Sequence, residues 1–517
     1  MRSIPRQLNS CKMLTSLRPS LTAALCLTLA ACKVGPDAPP VTEPPQADAL
    51  LAPAGASAGV VSAQQQPVAQ WWTAFRDPTL DALIAKSDEG NQTLMAAMAN
   101  VRAAYASVGV SEADLWPTVG TGAQYTRTLT NIAQLAAAGV RVEPYNSYAY
   151  GVGMSAWEID LWGGVRRQVE ASKASAESTV DTLRDALVSV RAQVAASYLQ
   201  VRTLQTQRAV LLDTRETLVK TRDLIQARFD AGTTNGLDVA RAQADLDAMD
   251  AQVPQIDGGL SSAIASLAVL CGMTPSQLAP LVVAVAPLPA APEIAGIGLP
   301  AQLIERRPDV RAAHQRLLAA TAAIGATEAQ RLPTLSLSGN FYIAANDVSG
   351  LGDLSNKAYS FGPSLSLPIF TAGRIDSAVR QARAEAEAAL AQYRGTVISA
   401  IGDLSASVGD FVYARETRAR ADAALASAEA ALVLAQQQFD AGVTDYSTLL
   451  DVQRAALDAQ TGAVDAQAGV AQGFVSLQRA LGAGWSDSDT VLRSAESSEN
   501  QANETSSSES RKSEGSR

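Results

Sequence analysis

The sequence predicts an α+β membrane protein built from one unit used twice: helix, strand pair, long helix, turn, returning helix. Three observations carry this. First, the chain repeats itself. Phe229-Asp230-Ala231-Gly232 returns as Phe439-Asp440-Ala441-Gly442, 210 positions later, and at the same offset Thr234 meets Thr444 and Gln243 meets Gln453. Leu115-Trp116-Pro117-Thr118 corresponds to Arg331-Leu332-Pro333-Thr334, and Gly163-Gly164 to Ala372-Gly373. Second, apolar residues recur every seven positions: Leu187, Val194 and Val201, then Leu204, Leu211, Leu218 and Ile225. In the second unit Leu390, Val397, Leu404 and Phe411 do the same, followed by Leu425, Leu432 and Phe439. This spacing keeps one seam of a helix against a partner. Third, each unit holds two segments with strand alternation, and no apolar stretch of about 18 residues is free of charge, so a membrane crossing falls to strands.

The elements follow in order. Residues 1-31 read as a lipoprotein signal peptide: Arg2, Arg6, Lys12 and Arg18 without an acid, then an apolar run from Leu21 to Ala31. It ends Leu29-Ala30-Ala31-Cys32, which resembles the bacterial lipobox and makes Cys32 the lipidation site; an ordinary leader with a chance cysteine is the alternative. Lys33, rather than Asp, after that Cys resembles an outer-membrane sorting signal. Residues 32-77 are expected to be an acylated, extended N-terminal tether rich in Pro, Ala and Gln. Repeat 1 covers 78-272, with its strand pair in 118-161. There Tyr148, Tyr150, Val152 and Met154 alternate with small residues, as an apolar-out barrel strand does. The segment 273-299 is assigned as a linker. Repeat 2 covers 300-485, with its strand pair in 334-370, and residues 486-517 as a disordered polar tail.

Gly164 to Phe229 and Gly373 to Phe439 are each expected to form a helix about 100 Å long at 1.5 Å per residue, too long for the inside of a globular domain. Small side chains such as Ala384, Ala386, Ala388 and Ala389 allow neighbours on more than one side, so these helices can close into a tube. Four strands cannot close a membrane barrel, and an open edge in lipid leaves backbone groups unpaired. Three chains would supply twelve.

Composition narrows the function. The chain has 517 residues, a formal net charge of −10, one His and four Cys. A single His314 excludes paired-His metal sites. No glycine-rich loop leads into Lys-Ser or Lys-Thr, so a Walker-type nucleotide site is absent. The acidic balance argues against nucleic-acid binding. No enzyme activity, cofactor or metal is expected. If Cys11 and Cys26 leave with the leader and Cys32 carries lipid, Cys271 remains alone and reads as a small buried apolar residue.

Taken together, the residues resemble a TolC-type outer-membrane efflux protein (an outer membrane factor), of the acylated branch that includes the OprM and NodT groups. The resemblance runs from Cys32 to about Trp485. It rests on Val34-Gly35-Pro36-Asp37 after the Cys; Trp71-Trp72 with Phe75 and Asp77-Pro78; Arg306-Arg307-Pro308-Asp309-Val310 with Ile324-Gly325; and Gly442 through Asp451. It implies a homotrimer with a 12-stranded β-barrel in the outer membrane of a Gram-negative bacterium, continuous with a 12-helix periplasmic α-barrel. It also implies a periplasmic adaptor (membrane fusion) protein and an inner-membrane pump, often of the resistance-nodulation-division class. The function it implies is a passive exit duct for small molecules. A type I protein-secretion duct and a lipid-anchored coiled-coil scaffold are the other readings.

The helix–turn–helix segments around Phe229, Gly232 and Asn235, and around Phe439 and Gly442, are expected to form periplasmic tips. Gly232 and Gly442 suit the left-handed position that ends a helix. Asn235 and Asp445 suit caps of the returning helices, and for Asp445 that structural role stands beside a gate role. Asp451, four after Ser447 and close to Thr448, matches a constriction Asp of the family. Three copies would form a carboxylate ring; a solvated surface Asp is the alternative. The family's lock uses a Tyr and an Arg that align with Phe439 and Thr444, which cannot make those hydrogen bonds. Arg306 to Asp309 reads as a helix start, and His314 as structural.

Overall fold

The computed structural model describes residues 34–37, 69–129, 144–284, 286–292, 306–489 and 491–492. The signal peptide, Cys32, most of the tether and the tail beyond 492 lie outside the described residues. After a 3₁₀ turn at Trp71–Phe75 come α1 (Pro78–Gly90), α2 (Gln92–Ala113), β1 (Val119–Thr128), β2 (Tyr145–Ile159), α3 (Gly164–Asp230) and α4 (Gly236–Leu270). Then follow α5 (Pro275–Val282), α6 (Pro308–Ala329), β3 (Thr334–Ala345), β4 (Lys357–Ser366), α7 (Arg374–Asp440) and α8 (Tyr446–Ala480). The duplication is visible in the lengths. α2 and α6 have 22 residues each, α3 and α7 have 67 each, and α4 and α8 have 35 each.

The chain divides into two compact units. One contains the strands, the helix ends that enter and leave them, and Val34 to Asp37. Its sheet has the order β1-β2-β3-β4, antiparallel throughout, so the two strand pairs join through β2 and β3. β1 and β4 are the edges and have no further strand among the described residues. The register places Val119, Thr121, Ala123 and Tyr125 beside Met154, Val152, Tyr150 and Tyr148. Those continue into Gly339, Phe341, Ile343 and Ala345, then into Phe361, Tyr359 and Lys357. Because side chains alternate across a strand, these residues share one face. The opposite face carries Gly120, Gly122 and Gln124, then Gly153, Gly151 and Ala149, then Asn340 with Ser338 and Ser336, and Ser360. The first face holds most of the large apolar residues, with Thr121, Arg127 and Lys357 among them, and the second is mostly small and polar, with Tyr342 the exception. The register shifts by a bulge between Met154 and Trp157, which bends a strand and raises its twist. β4 stops at Ser366, before the expected Phe370, because Pro368 cannot donate to a ladder.

The other unit is helical. The seven-residue seams are its contacts: Leu187, Val194 and Val201 are fully buried, and Leu211, Leu218, Ile225, Val397, Leu404, Phe411 and Phe439 are buried as well. Trp71, Trp72 and Phe75 pack in one core with Leu187, Val194, Val201, Leu404 and Phe411, with Phe474 edge-on to Trp71 and Phe75 at 6.0 and 5.3 Å. The last part of the expected tether is therefore core, since three large aromatic side chains gain more from burial than an extended strand loses. Asp77 caps α1, accepting from the Thr79 amide at 2.9 Å, with Pro78 at the first helical position.

Two further segments differ from expectation. Within 273-299, α5 is a helix opened by a Thr274–Gln277 capping box, with Leu278 and Val282 fully buried. Beyond 485, Asp487 pairs with Arg184 at 3.0 Å, Asp489 pairs with Arg191 at 3.1 Å, and Val491 and Leu492 are buried. A buried guanidinium needs anionic partners, and Arg191 also takes Asp88 at 2.7 Å and the Gly484 carbonyl at 2.5 Å. The first residues of the polar tail thus complete the core charge balance. Arg307 has the role expected of a helix start: it is buried and reaches Asp309, Asp403 and the Ala400 and Ala480 carbonyls. His314 lies beside Tyr393, its pKa lowered by burial. Cys271 is buried, its thiol pushed up to about 11 by desolvation.

By length and apolarity alone, α4 and α7 each hold a window that passes for a membrane span. Their amphipathic seams and their charges, such as Asp257 paired with Arg208 at 2.6 Å, assign them to helix packing.

Candidate functional site: helix tips and sheet faces

Both tips are built alike. α3 ends as the Gly232 amide donates to Phe229 (2.8 Å) and the Thr233 amide to Arg228 (2.9 Å). α7 ends as Gly442 donates to Phe439 (3.1 Å) and Val443 to Gln438 (2.9 Å). Gly232 and Gly442 sit at φ +71 and +72 with open space where a Cβ would be, so backbone conformation and not crowding requires glycine. Gln226 donates to Asp230 and Gln436 to Asp440, the same bond at the repeat offset. On the returning side, Asn235 accepts from the Leu237 and Asp238 amides at 2.9 and 3.1 Å. Asp445 accepts from the Thr448 amide (2.9 Å), the Thr448 hydroxyl (2.7 Å) and the Ser447 hydroxyl (3.0 Å). These bonds hold the Asp445 carboxyl below the usual carboxylate range. Asp445, Ser447 and Thr448 therefore form one cap.

Asp451 stands apart. It is exposed and has no hydrogen bond or ion pair among the described residues. The chain by itself does not bring it to Asp445. A constriction at Asp451 requires other copies.

The two tips are joined by residues that sequence reasoning missed. Arg228 stacks over the Phe439 ring, 4.4 Å from its centroid, and donates twice to the Phe439 carbonyl at 3.3 Å. A cation at the C-terminal end of α7 also suits the helix dipole. Asp245 of α4 accepts from Arg454 (2.5 Å) and from the Tyr446 hydroxyl (3.4 Å), both on α8. Burial, and then the Asp245 charge, push Tyr446 up to about 12. Around these, Ile225, Ala242, Phe439, Tyr446, Leu449 and Leu450 form a small core. Where the Tyr–Arg pair of the resemblance is missing, Arg228 holds Phe439 and Asp245 holds Tyr446 and Arg454. The available signal was disagreement between copies: at the repeat offset Arg228 meets Gln438, Tyr446 meets Gly236, and Asp245 meets Ala455. Gln453 is buried with both amide atoms unpartnered among the described residues, whereas its counterpart Gln243 bonds Asp247 at 2.8 Å.

The sheet, in the other unit, is a separate candidate surface. Its apolar face leaves Tyr359, Phe361, Val152 and Tyr150 exposed, at 78, 71, 50 and 43%. Exposed aromatic and aliphatic side chains in such a row suit lipid, while the other face, mostly glycine, serine and asparagine, suits water.

Comparison with known proteins shows the family. Residues 83–273 and 299–483 match the sequence model of a family described as outer membrane efflux protein. The chain is 31% identical over 473 residues to the pyoverdine export outer membrane protein OpmQ of Pseudomonas putida, covering 90% of this chain and 97% of that one. It is 30% identical over 484 residues to the outer membrane protein OprJ of Pseudomonas aeruginosa, covering 90% and 96%. Among solved structures, the outer-membrane channel OprN superposes with a TM-score of 0.80 at 33% identity, covering 88% of this chain and all of that one.

Proposed function

Because the chain belongs to the outer membrane efflux protein family, we propose that it is the passive exit duct of a tripartite export system. It is an outer-membrane channel protein of the TolC type and not an enzyme. In this reading it receives small molecules from an inner-membrane pump and a periplasmic adaptor and delivers them outside. The relative named for pyoverdine export supports efflux over protein secretion, and family membership takes the place of the scaffold reading. A pump of the resistance-nodulation-division class is the partner we expect, and the pump gene beside this one would name the cargo class.

One observation carries the proposal: a four-stranded sheet with one mainly apolar face, one mainly small and polar face, and two edges open among the described residues. Such a sheet satisfies its backbone in lipid only by joining copies of itself. Three chains make twelve strands and, with four long or returning helices each, twelve helices. Cys32 carries the lipid that assists sorting. The tips form the periplasmic mouth, with Asp451, Ser447, Thr448 and Asp445 near its constriction.

The test is purification from the outer-membrane fraction followed by planar-bilayer recording. Heat-modifiable trimers with ion conductance are the expected result. A monomer that conducts, or a trimer that never does, overturns the reading.

A further inference from the structure

Arg167 takes no part in the tips or the sheet faces, yet it is 2% exposed. It lies in the first turn of α3, and its guanidinium addresses a run of backbone. Nε donates to the Val34 carbonyl at 3.1 Å, and Nη2 to those of Gly35 and Pro36 at 3.2 and 3.3 Å and to Asp37 at 3.1 Å. Nη1 is held by Glu170 at 3.2 Å. The Val34 amide donates to the Trp162 carbonyl at 3.2 Å, and the Trp162 indole is fixed on the Pro333 carbonyl at 2.7 Å. The fit is close. Gly35 has φ +97, and a Cβ there would lie 2.3 Å from the Gly325 Cα; one on Gly325 would lie 2.5 Å from the Val34 oxygen.

The second possible place for such a contact is vacant of its parts. The spacing that relates Pro117 to Pro333 also relates Gly109 to Gly325, and Gly109 has nothing within 4 Å of its notional Cβ. The spacing that relates Gly163 to Ala372 relates Arg167 to Asp376, which pairs with Arg331 at 2.6 Å. The duplicated unit thus carries this arrangement in one copy alone. Ordinary packing of the repeat would have produced it twice.

We propose that Arg167, Gly325 and Trp162 form a cradle for the chain's own segment Val34 to Asp37, and that the cradle fixes the lipid anchor beside the foot of β2. The anchoring part rests on the lipoprotein reading above. Only Lys33 separates Val34 from Cys32, so an acyl group there is tethered within about 7 Å of a fixed point. One acyl chain alone binds a bilayer only marginally. Docking converts it from a loose tether into a second membrane contact at set height, which raises its effective concentration at the bilayer.

Lys33 provides the readout, since trypsin cutting between Lys33 and Val34 severs the anchor. Folded, detergent-solubilised full-length protein is treated with trypsin, and the N-terminal peptide is followed by mass spectrometry. Wild type is expected to keep its N-terminus, with Gly35→Ala and Gly325→Ala cut at Lys33 at least tenfold faster and Gly109→Ala cut as slowly as wild type. Gly35 lies on the strap itself, so Gly35→Ala decides the matter if Gly325→Ala does not assemble. Equal cutting of wild type and Gly35→Ala overturns the cradle, even with Cys32 acylated. A protected strap behind an unmodified Cys32 refutes the anchoring role and the lipoprotein reading together, while the cradle stands.

Discussion

Ala372 has φ +49, a conformation that its repeat counterpart Gly163 adopts at +79 without cost. A Cβ in the left-handed region costs roughly 1–2 kcal/mol, so Ala372→Gly is expected to stabilise the protein by about 1 kcal/mol, read as a raised Tm of the solubilised protein. No change, or a lower Tm, would show that the turn before α7 is not strained. Asp445 makes a prediction with pH. Its carboxyl is held below the ordinary 3.8 by the cap bonds. The stability it contributes is present above its unfolded pKa and is lost as pH falls through the lower folded value. Amide exchange at Thr448 should therefore accelerate below about pH 4 in wild type. In Asp445→Asn, which keeps an acceptor without a charge, that pH dependence should vanish. Asp451 is exposed, and three copies about 8 Å apart in water would repel by only about 0.5–2 kcal/mol. Asp451→Ala is expected to assemble normally and to lose cation preference in planar bilayers. Unchanged selectivity would make it a surface residue. At this scale the sequence was most legible where backbone geometry dictates a residue type, as at Gly232, Gly442 and Asn235. It was silent on Arg228, whose partner is a carbonyl 211 positions away, because a carbonyl leaves no mark in a sequence.

Helix length and seam were legible for a different reason. A seven-residue period and a terminal glycine are local, and both long helices end within a residue of where those signals place them. The end of β4 was read less well, since Pro368 cannot donate to a ladder and yet leaves the alternation uninterrupted. Pairing of β2 with β3 joins segments almost two hundred residues apart and depends on no local pattern. The tie between α4 and α8 was likewise hidden. Asp245 bridges Tyr446 and Arg454, but Arg454 is largely exposed, so the pair contributes about 0.2–1 kcal/mol per copy. Over the three copies of the proposed trimer this would be enough to bias a two-state mouth several-fold. Asp245→Asn and Arg454→Ala are each expected to increase the time the channel conducts. Because they remove the same contact, the double variant should open no further than either single one. Additive effects would show that Asp245 and Arg454 act separately.

For the molecule as a whole, the proposed barrel requires β1 and β4 to pair on neighbouring copies, since both are edges without a further strand among the described residues. Cysteines introduced at facing positions of these two strands are expected to cross-link chains into dimers and trimers, and within a chain not at all. Intrachain cross-links alone would mean that the sheet closes on itself. The strand alternation was legible, whereas the packed start of the polar tail was not, because Asp487 and Asp489 look like solvated charges until Arg184 and Arg191 are seen buried beneath them.

The matched helix lengths have one more consequence. In the trimer proposed above, equal 67-residue and 35-residue helices would give six tips of like length, but Arg228 and Asp245 belong to one repeat and Tyr446 and Arg454 to the other. A protein that recognises outline alone would count six docking places, and one that reads charge would count three. Titrating such a partner against the trimer should then show two sets of three sites with unequal affinity, so that a complex can be half-filled before it is full.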